Sequence, residues 1–133
     1  MCSALCQLLF RAGERIRFRP PAAPAELSAF RIQWPHTPGA ILALWRVSDG
    51  LEIAATGTVL YSVWEAAHTP RRRGTPLGRM SFGDPLYMDR EGRVLQIDRE
   101  DGGVFLTWPS LAGFLRDELA APAEEEVPCS GGN

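Results

Sequence analysis

The residues of this chain best suited to acid–base catalysis near neutral pH are its two histidines, His36 and His68. An imidazole acts as a general base only when a group to be deprotonated lies within reach. Neither histidine has a serine or cysteine in a recognised nucleophile motif near it. His36 falls in a turn between Pro35 and Pro38, and His68 closes a short predicted helix, where its charge suits the helix C-terminus. We therefore predict structural roles for both histidines and no catalytic residue.

Carboxylates are the next candidates, because several acidic residues fall close to two glycine-containing turns. The turns are Asp89-Arg90-Glu91-Gly92 and Arg99-Glu100-Asp101-Gly102-Gly103, with Asp84 and Asp98 nearby. Such oxygen ligands can bind a metal ion, but the segment lacks the order of an EF-hand loop and divides its acids between two turns. Asp and Gly tolerate the positive φ that tight turns need, so turn formation explains them better. We predict no metal and no cofactor.

Charge is unevenly distributed along the chain, although the net charge is only -2. Residues 1–81 contain ten arginines and five acids, whereas residues 82–133 contain four arginines and eleven acids. An acidic half is a plausible docking surface for a basic protein, through long-range steering and charge complementarity. The alternative is that turns and a C-terminal helix collect Asp and Glu because these positions are solvated. The sequence leaves both interpretations open.

The cluster Arg71-Arg72-Arg73 is the clearest basic feature. Arginines can contact phosphate, but a solvated loop explains a lone triplet in a slightly acidic protein better. A phosphate-binding Gly-x-x-x-x-Gly-Lys loop is absent, since the chain has no lysine. We expect no nucleic-acid partner.

Tryptophan is favoured at the hot spots of protein interfaces, which makes the four tryptophans informative. Trp45 and Trp108 have apolar neighbours, so we expect both in the core. Trp64 follows a predicted strand and is expected to be half exposed. For Trp64 the sequence leaves packing and partner binding equally open.

These residues are carried by elements that apolar periodicity and turn chemistry predict. The clearest is a β-meander of three strands, Leu86–Met88, Val94–Ile97 and Val104–Trp108, separated by the two acidic turns. Before it the sequence predicts four helices, at Ser3–Ala12, Ala25–Gln33, Pro38–Val47 and Ser62–His68, with Thr37 as the cap of the third. It also predicts strands at Ile16–Phe18 and Thr58–Tyr61 and a loop at Thr69–Thr75. A closing helix is predicted from Pro109-Ser110 to Leu119. This order indicates an α+β fold, with N-terminal helices packed on a mostly antiparallel sheet and a closing C-terminal helix.

A length of 133 residues fits one domain, which we place at residues 1–120, followed by a flexible tail at residues 121–133. The apolar segment 4–10 is too short to span a membrane. The three cysteines, Cys2, Cys6 and Cys129, lack the spacing of a zinc knuckle. We therefore expect reduced thiols in a cytoplasmic protein.

Several short motifs occur in a fixed order over roughly residues 16–120. The first is Val47-Ser48-Asp49-Gly50, at the end of a helix that contains Trp45. The next two lead into the first and second meander strands, and they are Ser81-Phe82-Gly83-Asp84 and Gly92-Arg93-Val94. The last is Ser110-Leu111-Ala112-Gly113-Phe114-Leu115, at the start of the closing helix. Their order and spacing resemble the SUKH superfamily, with Asp49 in place of the usual asparagine. The resemblance implies structural roles for Trp45, Asp49, Gly50, Gly83, Gly92 and Phe114.

Bacterial SUKH proteins are mostly immunity proteins that bind and neutralise a toxin, often a nuclease or a deaminase, without catalysis. The resemblance therefore implies a non-enzymatic protein-binding domain whose partner is a cognate toxin. The expected mechanism is occlusion of a basic toxin active site by the acidic turns, with Trp64 or Tyr87 as an anchor. The candidate contact residues are Trp64, Asp84, Tyr87, Asp89, Glu91, Asp98, Glu100 and Asp101. The alternative is a regulatory or scaffold module that recognises a host protein.

Overall fold

The computed structural model describes residues 4–120, so Cys2, Cys129 and the predicted tail lie outside the described residues. The helices are α1 Ala4–Ala12, α2 Pro24–Gln33, α3 Gly39–Val47, α4 Val63–Ala67 and α5 Leu111–Ala120. The strands are β1 Ile16–Phe18, β2 Leu51–Ile53, β3 Val59–Leu60, β4 Thr75–Arg79, β5 Pro85–Met88, β6 Val94–Ile97 and β7 Val104–Trp108. Helices, then most of the sheet, then a closing helix make this the predicted α+β fold.

The strands form one antiparallel sheet in which each strand pairs with its neighbour in sequence. Among the described residues, β1 and β7 are therefore the two edge strands. The predicted meander is confirmed: β5 pairs with β6 and β6 pairs with β7, and the two acidic turns join them. A register shift between Gln96 and Ile97 places a bulge in the last pairing.

The sequence pattern does not indicate two of the strands, β2 and β4. Strand β2 has only three residues, and β4 (Thr-Pro-Leu-Gly-Arg) contains a proline and a glycine, which usually mark turns. Gly78 has a packing reason to be there, because a Cβ at this position would overlap the carbonyl oxygen of Val59 in β3. The loop predicted at Thr69–Thr75 therefore ends at Gly74, and Thr75 begins a strand.

The helices are short, and none within residues 4–120 is long and apolar enough to cross a membrane. Helix α3 begins one residue later than predicted, because Pro38 occupies the N-cap and Gly39 is the first helical residue. The expected cap by Thr37 is wrong: its hydroxyl donates to the carbonyl oxygen of Trp34 at 2.6 Å instead. Thr37 therefore closes the turn that follows α2.

A single apolar core forms where the helices pack on one face of the sheet. Trp45 on α3 is 1% exposed, as predicted, and its indole N–H donates to the carbonyl oxygen of Tyr61 at 2.8 Å. Phe30 on α2 meets Trp45 edge to face at 4.9 Å. Phe114 is fully buried in α5, and Trp108 is half-buried with its ring edge-on to Phe114 at 4.8 Å. The core thus joins the N-terminal helices, the sheet and α5.

The motif Asp49-Gly50 connects the end of α3 to the start of α4. The Asp49 carboxylate accepts a hydrogen bond from the backbone N–H of Val63 at 2.9 Å, in the first turn of α4. Gly50 has a φ of +88°, and its Cα lies against the backbone between Leu60 and Ser62. Only glycine fits both the left-handed conformation and this close approach. The motif therefore fixes the position of α4 and of its exposed residues.

Candidate protein-binding surface

The two acidic turns lie at opposite ends of the sheet. Asp89 and Glu91 belong to the turn from β5 to β6, whereas Glu100 and Asp101 belong to the turn from β6 to β7. Successive turns of an antiparallel meander alternate between its ends, so the four residues of β6 separate the two turns by roughly 13 Å. The two turns therefore form two separate acidic clusters rather than one continuous cluster.

Two residues expected to contact a partner are buried. Asp84 accepts hydrogen bonds from the Gln96 amide at 2.8 Å and from the backbone N–H of Arg99 at 3.2 Å. Tyr87 is 4% exposed, and its hydroxyl donates to the carbonyl oxygen of Pro70. Asp84 therefore connects β6 and the following turn to the β4–β5 turn, and Tyr87 holds the loop before β4 on the sheet. Tyr87 is thus not exposed to a partner, and Asp84 reaches the surface only where it lines a depression with Phe82 and Phe105.

The carboxylate of Asp89 organises its own turn. It accepts hydrogen bonds from the backbone N–H groups of Glu91 at 3.1 Å and Arg93 at 2.9 Å, and from the Arg93 guanidinium at 2.7 Å. Partial burial alone would raise the pKa of Asp89, but the hydrogen bonds and charge of Arg93, with the Glu91 N–H, together lower this pKa below its ordinary value. Asp89 is thus a structural residue of the β5–β6 turn.

We expect Asp89→Asn to lower the free energy of unfolding by about 1 kcal/mol at pH 7, because the charged hydrogen bond to Arg93 is lost. A carboxyl with a lowered folded-state pKa contributes its full stability above its unfolded value of about 3.8 and loses it as the pH falls through the folded value. The difference between the two proteins should therefore shrink as the pH falls through the lowered pKa of Asp89 in the folded state. Urea unfolding from pH 2.5 to pH 7 measures it, and a difference that does not shrink towards the lowest pH contradicts this role.

The β6–β7 turn presents acidic side chains to solvent. The Asp98 carboxylate accepts hydrogen bonds from the backbone N–H of Glu100 at 2.7 Å and more weakly from that of Asp101 at 3.4 Å. Asp98 is half-buried, whereas Glu100 and Asp101 are exposed. Asp98 is therefore used to shape the turn. Asp101 also accepts a hydrogen bond within the turn, from the backbone N–H of Gly103 at 2.7 Å, but its side chain and that of Glu100 are exposed to a partner.

Next to this turn lies an apolar surface on the edge of the sheet, which we call the β7 edge patch. Its members are the exposed residues Val104, Phe105 and Leu106 along β7 and Phe82 in the β4–β5 turn, and of these Phe82 and Phe105 share one depression. Phe105 is 61% exposed, and with Phe82 it lines an open depression of about 400 Å³ that Asp98 and Glu100 also line. Large apolar side chains rimmed by polar ones are typical of protein-interaction sites.

The backbone of β7 adds a second feature to this patch. Within residues 4–120 only β6 pairs with β7, so the outer edge of β7 has no strand beside it. An apolar edge strand is a template for pairing with another chain, and monomeric proteins usually protect such edges with charges or prolines. The sequence predicted the strand but did not identify it as an edge, which only the strand order reveals.

Trp64 marks a separate exposed surface on α4. It is 65% exposed and stacks on the His68 ring with 4.1 Å between the ring centroids. Both rings border a groove of about 200 Å³ between α2 and α4, with Phe30 and Ala29 among its apolar walls. Trp64 is more exposed than expected, and both its packing on His68 and the binding of a partner stay open as its role. We call this surface the α2–α4 groove.

Within residues 4–120 no group of three or more His, Cys, Asp or Glu side chains is arranged to hold a metal ion. His36 is an exposed turn residue, and His68 packs against Trp64 with its Nδ1 2.8 Å from the Trp64 carbonyl oxygen. No protein-family model, curated protein or solved structure matches this chain. Its function therefore has to be inferred from its own surfaces.

Proposed function

We propose that this chain is a non-enzymatic protein-binding domain, an immunity protein that neutralises a bacterial toxin of the nuclease or deaminase type. The observation that carries the proposal is the β7 edge patch, an exposed apolar strand edge beside the acidic residues Glu100 and Asp101. Leaving this patch in water is unfavourable, and a partner that covers it regains the free energy of apolar burial. The resemblance of the sequence motifs to the SUKH superfamily supports the same function.

Charge favours a basic partner. Glu100 and Asp101 are exposed in the turn at the end of the patch. Their negative charge attracts a cationic protein surface during association and complements its charge in the complex. Nucleases and nucleic-acid deaminases bind a polyanion, and their active-site clefts are therefore rich in Lys and Arg. A domain that places carboxylates in such a cleft competes with the nucleic acid. We place this function in the cytoplasm, where the substrate of such a toxin is found.

The proposed complex combines two modes of contact. Phe105 and its apolar neighbours bury themselves against the toxin and supply most of the affinity, because aromatic anchors in desolvated pockets dominate interface energies. The acidic turn at the end of β7 lies over the toxin's cationic site and excludes substrate sterically. The outer edge of β7 can additionally pair with an extended segment of the toxin.

The acidic turn is tested by charge removal. Replacing Glu100 and Asp101 together with alanine is expected to weaken toxin binding about tenfold at low salt and to reduce the dependence of affinity on salt concentration. Glu91→Ala is the matched control, since Glu91 is an exposed acid in the turn at the opposite end of the sheet. Affinity is measured by titration calorimetry at several salt concentrations. Equal weakening by the control and the double variant would remove the acidic turn from the proposed interface.

A second binding function is favoured by the α2–α4 groove. An exposed tryptophan above an apolar groove between two helices suits an inserted helix or peptide of a host protein. In that case the chain is a regulatory or scaffold module rather than a toxin antagonist. Trp64→Ala would then abolish partner capture, whereas charge removal at Glu100 and Asp101 would leave it unchanged.

A further inference from the structure

In the α4–β4 loop, Arg72 and Arg73 are exposed, but Arg71 is half-buried and does not extend into solvent. Arg71 turns back onto α2, where its guanidinium lies over the Trp34 ring at 4.6 Å from the ring centroid. Its Nη2 donates to the Thr75 hydroxyl at 3.1 Å. Its Nη1 is buried and has no hydrogen-bond acceptor among the described residues. A buried guanidinium nitrogen without an acceptor is rare and costly, so the positive charge of Arg71 is held here at an energetic cost.

Arg71 borders a cavity of about 230 Å³ between the end of α2 and the end of β5. Arg90 and His36 line the same cavity, together with Trp34, Thr75 and Met88. None of the described residues that line it is acidic. The cavity therefore brings two permanent positive charges and a histidine together without a compensating carboxylate.

The acids nearest in sequence do not neutralise these arginines. Asp89 and Glu91 flank Arg90, but both form ion pairs with Arg93, at 2.7 Å and 3.6 Å. Within residues 4–120 neither Arg71 nor Arg90 forms an ion pair. Burial also lowers the pKa of Arg71, which indicates that its charge is poorly solvated where it lies.

We propose that this cavity is a binding site for a phosphate group, held between Arg71 and Arg90. Phosphate oxygens suit guanidinium groups because each oxygen accepts charge-assisted hydrogen bonds in the planar geometry that arginine presents. Because Arg71 and Arg90 both line the cavity, a phosphate there can accept charge-assisted hydrogen bonds from two guanidinium groups, and the Thr75 hydroxyl lies at 3.1 Å from the Arg71 Nη2. This site is separate from the β7 edge patch and is independent of the proposed toxin binding.

The shape of the cavity limits the ligand to a small anion. Its volume is below the range of about 300 to 1,000 Å³ that drug-sized ligands occupy. The Trp34 ring already packs against the Arg71 guanidinium and the Phe30 ring, which lies at 4.5 Å. Trp34 thus forms a wall of the cavity rather than a free stacking surface for a nucleobase. Inorganic phosphate or the terminal group of a small phosphomonoester fits these limits.

The test is a titration of the protein with sodium phosphate at constant ionic strength, with sodium chloride as the balancing salt. The readout is the NMR signal of the Trp34 indole N–H, because this ring contacts Arg71. We expect a saturable shift for the unaltered protein, and affinity about tenfold weaker for Arg90→Gln, which removes one charged donor. A parallel titration with phosphoserine distinguishes the sources: binding of both ligands assigns a terminal phosphate group, and binding of inorganic phosphate alone assigns the free ion.

Arg116→Gln is the matched control, because Arg116 is an exposed arginine on α5 that does not line the cavity. It should change the phosphate affinity by less than about twofold. Arg71→Gln should abolish the saturable NMR shift with phosphate. This variant also loses a contact to Trp34, so it can fail to fold. In that case the variant at the exposed Arg90 provides the test. A shift that never saturates with either ligand, or equal weakening in the Arg90 and Arg116 variants, overturns the proposal.

Discussion

Replacing Trp45 with alanine is expected to lower the free energy of unfolding by about 4 kcal/mol. The side chain is 1% exposed in the middle of the core, and it touches the Phe30 ring edge to face. Alanine leaves a cavity there and also removes the indole donor from the carbonyl oxygen of Tyr61. Because α3 and the β3–α4 connection meet at this side chain, the loss affects the whole domain. Urea unfolding followed by circular dichroism measures it.

The matched control for this prediction is Trp64→Ala. It removes the same side chain from a position that is 65% exposed, so little apolar burial is lost and the expected change is below about 1 kcal/mol. A comparable loss of stability for the two variants would contradict the assignment of Trp45 to the core and of Trp64 to the surface. A small loss for Trp45→Ala alone would contradict the packing of α3 against α2.

Gly50→Ala is expected to lower the free energy of unfolding by about 3 kcal/mol or more, for two reasons that add. The φ of +88° is unfavourable for alanine and costs about 1 kcal/mol. In addition, the new Cβ would lie 2.9 Å from the carbonyl oxygen of Leu60 and from the amide nitrogen of Ser62. Both are backbone atoms and cannot rotate away, so β3 and the start of α4 must shift.

Gly92 provides a control that separates strain from collision. Its φ of +87° is nearly the same, but a Cβ at Gly92 would have no atom within 4 Å. Gly92→Ala should therefore cost only the conformational strain, about 1 kcal/mol. Urea unfolding of both variants gives the difference, which measures the close approach of Asp49-Gly50 to β3. Equal costs for the two variants would show that this approach does not contribute.

The parts of the fold that the sequence predicts well are those whose signals are local. Strands β5 to β7 follow from alternating apolar residues between Asp- and Gly-containing turns, and the helices follow from apolar spacing and proline positions. Strand β4 could not be predicted, because its proline and glycine have the local signal of a loop and are accommodated only by the neighbouring strands. Thr37 shows that local signals can also mislead. Its hydroxyl was expected to cap α3, but it donates to the carbonyl oxygen of Trp34 instead.

The candidate site was predicted less completely, because residue type does not determine exposure. Tyr87 lies between the core residues Leu86 and Met88, so its side chain points to the other face of the sheet. The loop at residues 69–74 covers this side chain, and its hydroxyl donates to the carbonyl oxygen of Pro70. Asp84 is turned inward after Gly83 and is held by Gln96. The separation of the two acidic turns was predictable, since consecutive turns of a meander alternate between ends. The exposure of β7 was not, because it depends on the absence of a further strand among the described residues.

We propose that the β7 edge patch binds a basic toxin. Phe105→Arg tests this proposal most directly, because it replaces the most exposed side chain of the patch with a charge that repels a cationic surface. Phe10→Arg is the matched control, since Phe10 lies on α1 and is 90% exposed. Each protein is immobilised and presented with extract in which the proteins of neighbouring genes are expressed, and the captured protein is identified by mass spectrometry.

We predict that the unaltered protein and Phe10→Arg each capture one basic partner with a nuclease or deaminase domain, in a one-to-one ratio. Phe105→Arg should capture none, although it unfolds at the same urea concentration as the unaltered protein. Equal capture by Phe105→Arg and the unaltered protein would contradict the claim that the patch is the binding surface. Capture of a partner without a toxin domain would contradict the immunity function itself.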